Sequence, residues 1–333
     1  MPDSPYRIAV IATPNFNLAT TTGFLDPFRV ANYLHGSSMF RWSLHSGAAS
    51  PLSASNGLQL SVAPLEDAPE KPDLVVVSSS WTPEAYADDA LLARLRRWSR
   101  AGCPLAALDT GAFILARAGL LAGRRATVHY EHIDAFAELF PEIDLTEELF
   151  TIDQGRLTCC GGAASTDLAL HLLRQQQGDA LANAAARYIF HERLRPEGAQ
   201  QFPQSVEPLG TSTPKSLRRA IRLMEANLEA NLSIPDICAG VDLSQRQLER
   251  LFRTHVGKSP QLYYRDIRLD RARGLVTQTD MPMSEIAVAC GFTSQVHFSR
   301  VYRERFGLPP TKDRVQGRIP FEYRAWPMHR SGA

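Results

Sequence analysis

Up to about residue 180 the chain alternates short unbroken apolar runs with stretches in which apolar positions recur every three or four residues. Ile8 to Ala12, Leu74 to Val77 and Pro104 to Leu108 show the first pattern, which predicts strands buried on both faces. Ala90 to Ser99 and Ala112 to Leu121 show the second and predict amphipathic helices. Strand then helix, repeated, predicts an α/β fold on a parallel sheet. Leu149 to Ile152 and Leu157 to Cys160 flank Asp153-Gln154-Gly155 and read as an edge hairpin, with Leu168 to Gln177 as a returning helix.

The pattern then changes. RPEGAQQFPQSVEPLGTSTPKS, from Arg195 to Ser216, has no period and is rich in Pro, Gly, Gln and Ser, which marks a linker. From Leu217 to about Arg314 only amphipathic helices with short breaks follow. The expected organisation is a domain over 1–195, a linker over 196–216 and an all-α domain over 217–320. Within the last, Ser244-Gln245, Arg250, Arg253, Gly257 and Pro260 recur fifty positions later as Ser294-Gln295, Arg300, Arg303, Gly307 and Pro310. One unit is used twice.

Charge sharpens that division. The net charge of +1 hides 16 Lys/Arg against 23 Asp/Glu in residues 1–210 and 20 against 12 in residues 211–333. An acidic domain precedes a basic one suited to a polyanion. The five cysteines form no CxxC pair, and Ile8 to Ala12 is too short for a signal-peptide core or a bilayer span, so a cytoplasmic protein without membrane contact is expected.

In the first repeat Ser244 suits a helix N-cap, Leu248, Leu251 and Phe252 form an apolar stripe, and Arg246, Arg250 and Arg253 occupy another face. The second repeat places Phe298, Val301 and Tyr302 inward and His297, Arg300 and Arg303 outward. A short helix and a tight turn precede each, Ile234 to Ala239 and Ser284 to Ala289, which makes two helix-turn-helix units. Arginine's planar fork matches guanine O6 and N7 or bridges phosphates. Gln261 to Val276 reads as a long helix joining the units, and successive major grooves on one face lie ~34 Å apart. Residues 217–314, above all IAVACGFTSQVHFSRVYRERFGLPPTKDR, resemble the AraC-type DNA-binding domain. The resemblance implies base-reading positions at Arg246, Glu249 and Arg250 in the first helix and at Val296, His297 and Arg300 in the second. Val296 is apolar where a polar residue is usual and suits only a thymine methyl.

In the acidic half, an apolar strand stops at Asp109-Thr110-Gly111 and a helix begins. This turn lifts residue 109 above the carboxyl edge of the sheet, where open α/β folds bind ligands. Asn56-Gly57, Asp109 to Phe113, Thr127 to Glu131 and Thr158 to Gly162 resemble the class I glutamine amidotransferase-like, or DJ-1/PfpI, superfamily, a flavodoxin-like sandwich, in the version fused to AraC-type domains. Catalytic relatives carry a cysteine at the elbow; Asp109 stands here, so thiol chemistry is not expected. The resemblance implies a homodimeric transcription activator that meets RNA polymerase and responds to glycine betaine, carnitine or arginine. The residues agree: a carboxylate with Trp81, His129 and Tyr130 around it suits a quaternary ammonium or guanidinium. Thr110 would meet a ligand carboxylate at the helix N-terminus, and Asn15 and Phe16 are weaker rim candidates.

Two other classes compete with the sensor. An amidase- or hydrolase-like domain would use Asp109 as nucleophile or base with His129 as partner, and a purely structural domain would only dimerise. No P-loop, GxGxxG, HxH or HxxxH pattern is present, so neither a cofactor nor a metal site is expected, with Glu131 the one carboxylate near His129 and His132.

Overall fold

The computed structural model describes residues 4–201 and 214–317, which form two units divided after Gln201. In the first, strands β1 (Tyr6–Ala12), β2 (Phe40–Ser46), β5 (Ala63–Pro64), β6 (Leu74–Ser79), β7 (Leu105–Asp109), β10 (Phe150–Asp153) and β11 (Arg156–Cys159) form one sheet. Short pairs β3 (Leu52–Ser53) with β4 (Gln59–Leu60), and β8 (Arg125–Ala126) with β9 (Asp144–Leu145), stand apart from it. Its order is β10-β11-β7-β6-β1-β2-β5, parallel except for the antiparallel β10–β11 hairpin.

Alternation along the strands sorts two cores. Ile8, Val10, Leu74, Val76, Ala106 and Leu108 face helices α1 (Leu18–His35), α5 (Ala164–Gln177) and α6 (Asp179–Tyr188). Ala9, Ile11, Val75, Val77, Leu105 and Ala107 face α2 (Asp89–Arg100), α3 (Gly111–Arg117) and α4 (Ile133–Leu139). The expected strands and helices are all present; α3 is shorter than Ala112 to Leu121 because Gly119 turns left-handed. Helix α1 gave no clear period, since it contains Thr20-Thr21-Thr22, Gly23 and Pro27. Pro27 withholds the N–H that would bond the Gly23 carbonyl, and the Thr166 hydroxyl of α5 donates to that carbonyl instead, at 3.0 Å. Long-range packing, not propensity, completes this helix.

The chain from 196 to 201, assigned to the linker by composition, packs on the first unit. Arg195 makes a forked contact with the buried Asp167, and Gln201 Nε2 donates to Thr127 Oγ1 at 3.0 Å and the Val128 carbonyl at 2.9 Å. The rest of that linker up to residue 213, and residues 318–320 of the expected domain, lie outside the described residues.

The second unit is all-α, as expected: α7 (Lys215–Glu225), α8 (Ile234–Gly240), α9 (Gln245–His255), α10 (Pro260–Gln278), α11 (Met283–Ala289), α12 (Gln295–Phe306) and α13 (Pro310–Gly317). Helices α9 and α12 start fifty residues apart, as the repeat requires. Helix α10 is fixed to both repeats by charge. Lys258, just after α9, bonds Asp266 at 2.7 Å, while Arg305 of α12 bonds Asp266 at 2.9 Å and Asp270 at 2.7 Å. Arg268 lies over the rings of Tyr264 and Phe292 and donates to the Gly291 carbonyl. Among the described residues no helix is long and apolar enough to cross a membrane.

Candidate functional site

The two reader helices bury one face and expose the other, in the same places. Leu248 and Phe252 in α9, and Phe298, Val301 and Tyr302 in α12, are buried. Arg246, Arg250 and Arg253, and His297, Arg300 and Arg303, are exposed, with Glu249 half-buried beside them. Ser244 accepts from the Gln247 amide while the Gln247 side chain returns to Ser244, a capping box. Ser294 caps α12 through the His297 amide. Each N-terminus is therefore pinned where the exposed side chains expected to read bases emerge. Of the guanidinium groups on these faces, Arg300 approaches Glu304 at 3.8 Å, both exposed, so the pair holds it weakly. Val296 is 81% exposed although apolar, and no core residue covers it. Opposite a thymine methyl this surface would be desolvated. Replacing that thymine by uracil in the bound site is expected to cost wild type about 1 kcal/mol, from one lost methyl contact. The Val296→Ser variant should show no such difference in a competition assay.

The second site gathers at the carboxyl ends of β1, β6 and β7, beside the switch point where β2 lies to one side of β1 and β6 to the other. Asp109 sits in the left-handed region at φ 60° and is 4% exposed. That elbow requires small neighbours. A Cβ on Gly111 would lie 2.4 Å from the Val77 carbonyl oxygen, and one on Gly161 would lie 3.0 Å from Asp109 Cβ. Asn17 caps α1 by accepting from the Thr20 amide and donates its own amide to Asp109 Oδ2 at 3.0 Å. Burial, chiefly, and then the nearby Glu131 charge push the Asp109 carboxyl up to about 7, against the Asn17 bond that lowers it. Among the described residues neither Asp109 nor Glu131 has an ion-pair partner within 4.0 Å.

The other rim residues separate. The Thr110 hydroxyl, offered by the sequence to a ligand, is fully buried and donates to the Ser80 carbonyl. This bond sets the β6 end against the elbow and leaves Trp81, the next residue, 37% exposed. Asn15, also left-handed, donates to the Tyr86 hydroxyl at 3.2 Å and ties the β1 loop to the one after β6. Phe16 is not on the rim: it is wholly buried among Ala12, Leu52, Ala54 and Val62. His129 and Tyr130 have ring centroids 4.5 Å apart, Tyr130 exposed and His129 half-buried. Burial lowers His129 to about 4, so the ring is neutral near pH 7, and its Nδ1 accepts from the Glu131 amide at 3.4 Å. Burial raises Glu131 despite the adjacent Tyr130 hydroxyl. Asn17, Tyr86 and Glu131 are site residues that sequence reasoning missed; Glu131, next to the chosen His129-Tyr130, had a signal in its position. All five cysteines are buried, and burial holds the thiols of Cys103 and Cys159 protonated, which leaves the elbow without a nearby thiolate. His129, Glu131 and His132, set aside as metal ligands on spacing, come together in space.

Comparison with known proteins accords with both halves. The DJ-1/PfpI family matches residues 8–175 and a helix-turn-helix domain matches residues 237–316. The HTH-type transcriptional regulator CdhR of Pseudomonas aeruginosa is 40% identical over 302 residues, spanning 91% of this chain and 89% of that protein. The HTH-type transcriptional regulator GbdR of Pseudomonas aeruginosa is 38% identical over 311 residues, spanning 93% and 84%. The crystal structure of an AraC family transcriptional regulator from Pseudomonas putida, 28% identical, covers 56% of this chain and all of its own, with a TM-score of 0.51. A second unit with two capped helices that expose arginine faces, a first unit that is α/β with an aspartate elbow, and relatives that share nearly the whole length make one conclusion: the chain belongs to the AraC-type helix-turn-helix transcriptional regulators that carry a DJ-1/PfpI domain.

Proposed function

We propose that this regulator activates transcription in response to a small cationic or zwitterionic metabolite held at Asp109, and that it returns the metabolite unchanged. The observation that carries the reading is the pair of carboxylates, Asp109 and Glu131, near enough for one charge to act on the other and without ion-pair partners among the described residues, with Trp81 two residues past the β6 position that pairs with Asp109 and the His129–Tyr130 pair next to Glu131 in the chain. Two anions in a partly desolvated recess repel each other, and a cation relieves that repulsion while aromatic faces hold it. The elbow lies where open α/β sheets take ligands. A quaternary amine such as glycine betaine or carnitine, or the guanidinium of arginine, has this chemistry. The protein acts in the cytoplasm as a homodimer on double-stranded promoter DNA, together with RNA polymerase.

The hydrolase-like alternative requires His129 to exchange protons with Asp109. The side chain that bonds Asp109 is instead Asn17, whose amide cannot relay a proton, while His129 Nδ1 faces the Glu131 amide. Thermal-shift measurements on the full chain with glycine betaine, carnitine and arginine test the reading. At least one should raise the melting temperature in proportion to the logarithm of its concentration, with NMR showing no turnover. No shift with any small cation would favour a purely dimerising domain, and turnover would favour the enzyme.

Sensing reaches the reader through the chain that leaves the pocket. Gln201, last of the first unit, is bonded to Thr127 and to the Val128 carbonyl, next to His129. Movement of the His129–Glu131 segment on ligand binding therefore pulls on the start of the interdomain connection. Gln201→Ala is expected to keep ligand and DNA affinity within about threefold while losing most of the ligand's effect on transcription, assayed in vitro.

A further inference from the structure

We propose that His129, Glu131 and His132 form a site for one divalent transition-metal ion of the zinc, copper or nickel class. The sequence argued against this because His-Tyr-Glu-His lacks the i, i+4 spacing that places two imidazoles on one face of an α-helix. The segment Tyr130–His132 is instead a 3₁₀ turn with His129 as its N-cap. At three residues per turn, positions 129 and 132 eclipse. Their ring centroids stand 6.1 Å apart, and one donor atom from each of His129, Glu131 and His132 falls within 4.8 Å of the others.

Two imidazoles and a carboxylate are the donor set of zinc sites with an open position, and imidazole also suits copper and nickel. All three residues are half-buried, enough to exclude bulk water from one side and leave a path for the ion. The ring of His132 packs edge-on against Phe113 of α3, at 6.0 Å between centroids, so α3 sets its position. Among the described residues, the hydrogen bond to the His129 ring comes from the Glu131 amide and is long at 3.4 Å, and the ion displaces it. Glu131 lacks an ion-pair partner among the described residues, which leaves its carboxylate available to an ion. His129 and Glu131 are shared with the organic-cation reading, but Asp109 is not a metal donor and His132 takes no part in holding the organic cation, so the two readings are told apart at those residues.

The test uses the full chain without an affinity tag, stripped with EDTA and titrated with Zn²⁺ by calorimetry. One ion per chain should bind, and His129→Ala and His132→Ala should each weaken it at least tenfold. His171→Ala, on α5, should bind as wild type. Asp109→Asn should keep the ion while losing the organic cation, which separates the two readings. Cu²⁺ bound to wild type, read by electron paramagnetic resonance, should show coupling to two imidazole nitrogens, a result that needs no variant to fold. Absence of saturable binding, unchanged affinity in His132→Ala, or fewer than two coupled nitrogens overturns the proposal.

Discussion

Replacing Arg250 and Arg300 together by alanine is expected to weaken binding to promoter DNA by roughly a hundredfold or more, since each fork that reads a base contributes ~1–3 kcal/mol. The size follows from where the two side chains are. Each lies one turn beyond a capped helix start and points away from the core, one in each repeat. The fold does not depend on them: the core faces of α9 and α12 are untouched, and the Arg300–Glu304 pair is exposed and contributes little. Melting temperature should therefore hold while affinity falls. The dependence of log affinity on log salt should also flatten, by ~1 for each arginine that meets a phosphate. Fluorescence anisotropy over a range of salt checks this; unchanged affinity and slope would remove DNA reading from these helices.

Asp109→Asn should act on ligand and stability in opposite directions. The folded carboxyl titrates at about 7, above the ordinary carboxylate value of about 3.9, so between those pH values the folded state keeps a proton that the unfolded chain releases. Without ligand, the stability this group contributes is fully present below pH ~4 and is lost as pH rises through about 7, a change on the order of 4 kcal/mol. Asparagine has no such titration. The variant should melt higher than wild type at pH 8 and show little of that slope. For the ligand the sign reverses, because a cation prefers the ionised carboxylate: affinity in wild type should climb from pH 5 to 7 and then level off. In the variant it should drop ~100-fold and lose that climb, since a buried opposite charge is removed. Calorimetric titration at pH 5, 6, 7 and 8 reads both; equal affinity in the two proteins would end the cation assignment.

How much could be read in advance depended on whether the signal was local. Buried strands such as Leu74–Ser79 and the repeat beginning at Ser244 and Ser294 write their structure into consecutive residues, and both stand where the sequence places them. Helix α1 does not, because Pro27 and the threonines make sense only against Thr166 and Ser78, far along the chain. The elbow was legible from Asp109-Thr110-Gly111, yet its partner Asn17 is 92 residues away and no spacing connects them. Phe16 was misplaced for the converse reason. A residue just after a strand is near the sheet edge, but which side it turns to depended on Leu52 and Ala54, on the short pairing that follows β2. That His129, Glu131 and His132 come together was not legible, because helical spacing was assumed where a 3₁₀ turn stands.

That ligand capture in the first unit governs DNA reading in the second is tested most directly by titrating the best thermal-shift ligand into the full chain with and without saturating promoter DNA. Linkage is reciprocal: if ligand changes DNA affinity, DNA changes ligand affinity by the same factor, typically ~5–150-fold. The two affinities are expected to differ within that range in wild type and to coincide in Gln201→Ala. Identical affinities in wild type, with DNA bound and unbound, would contradict it.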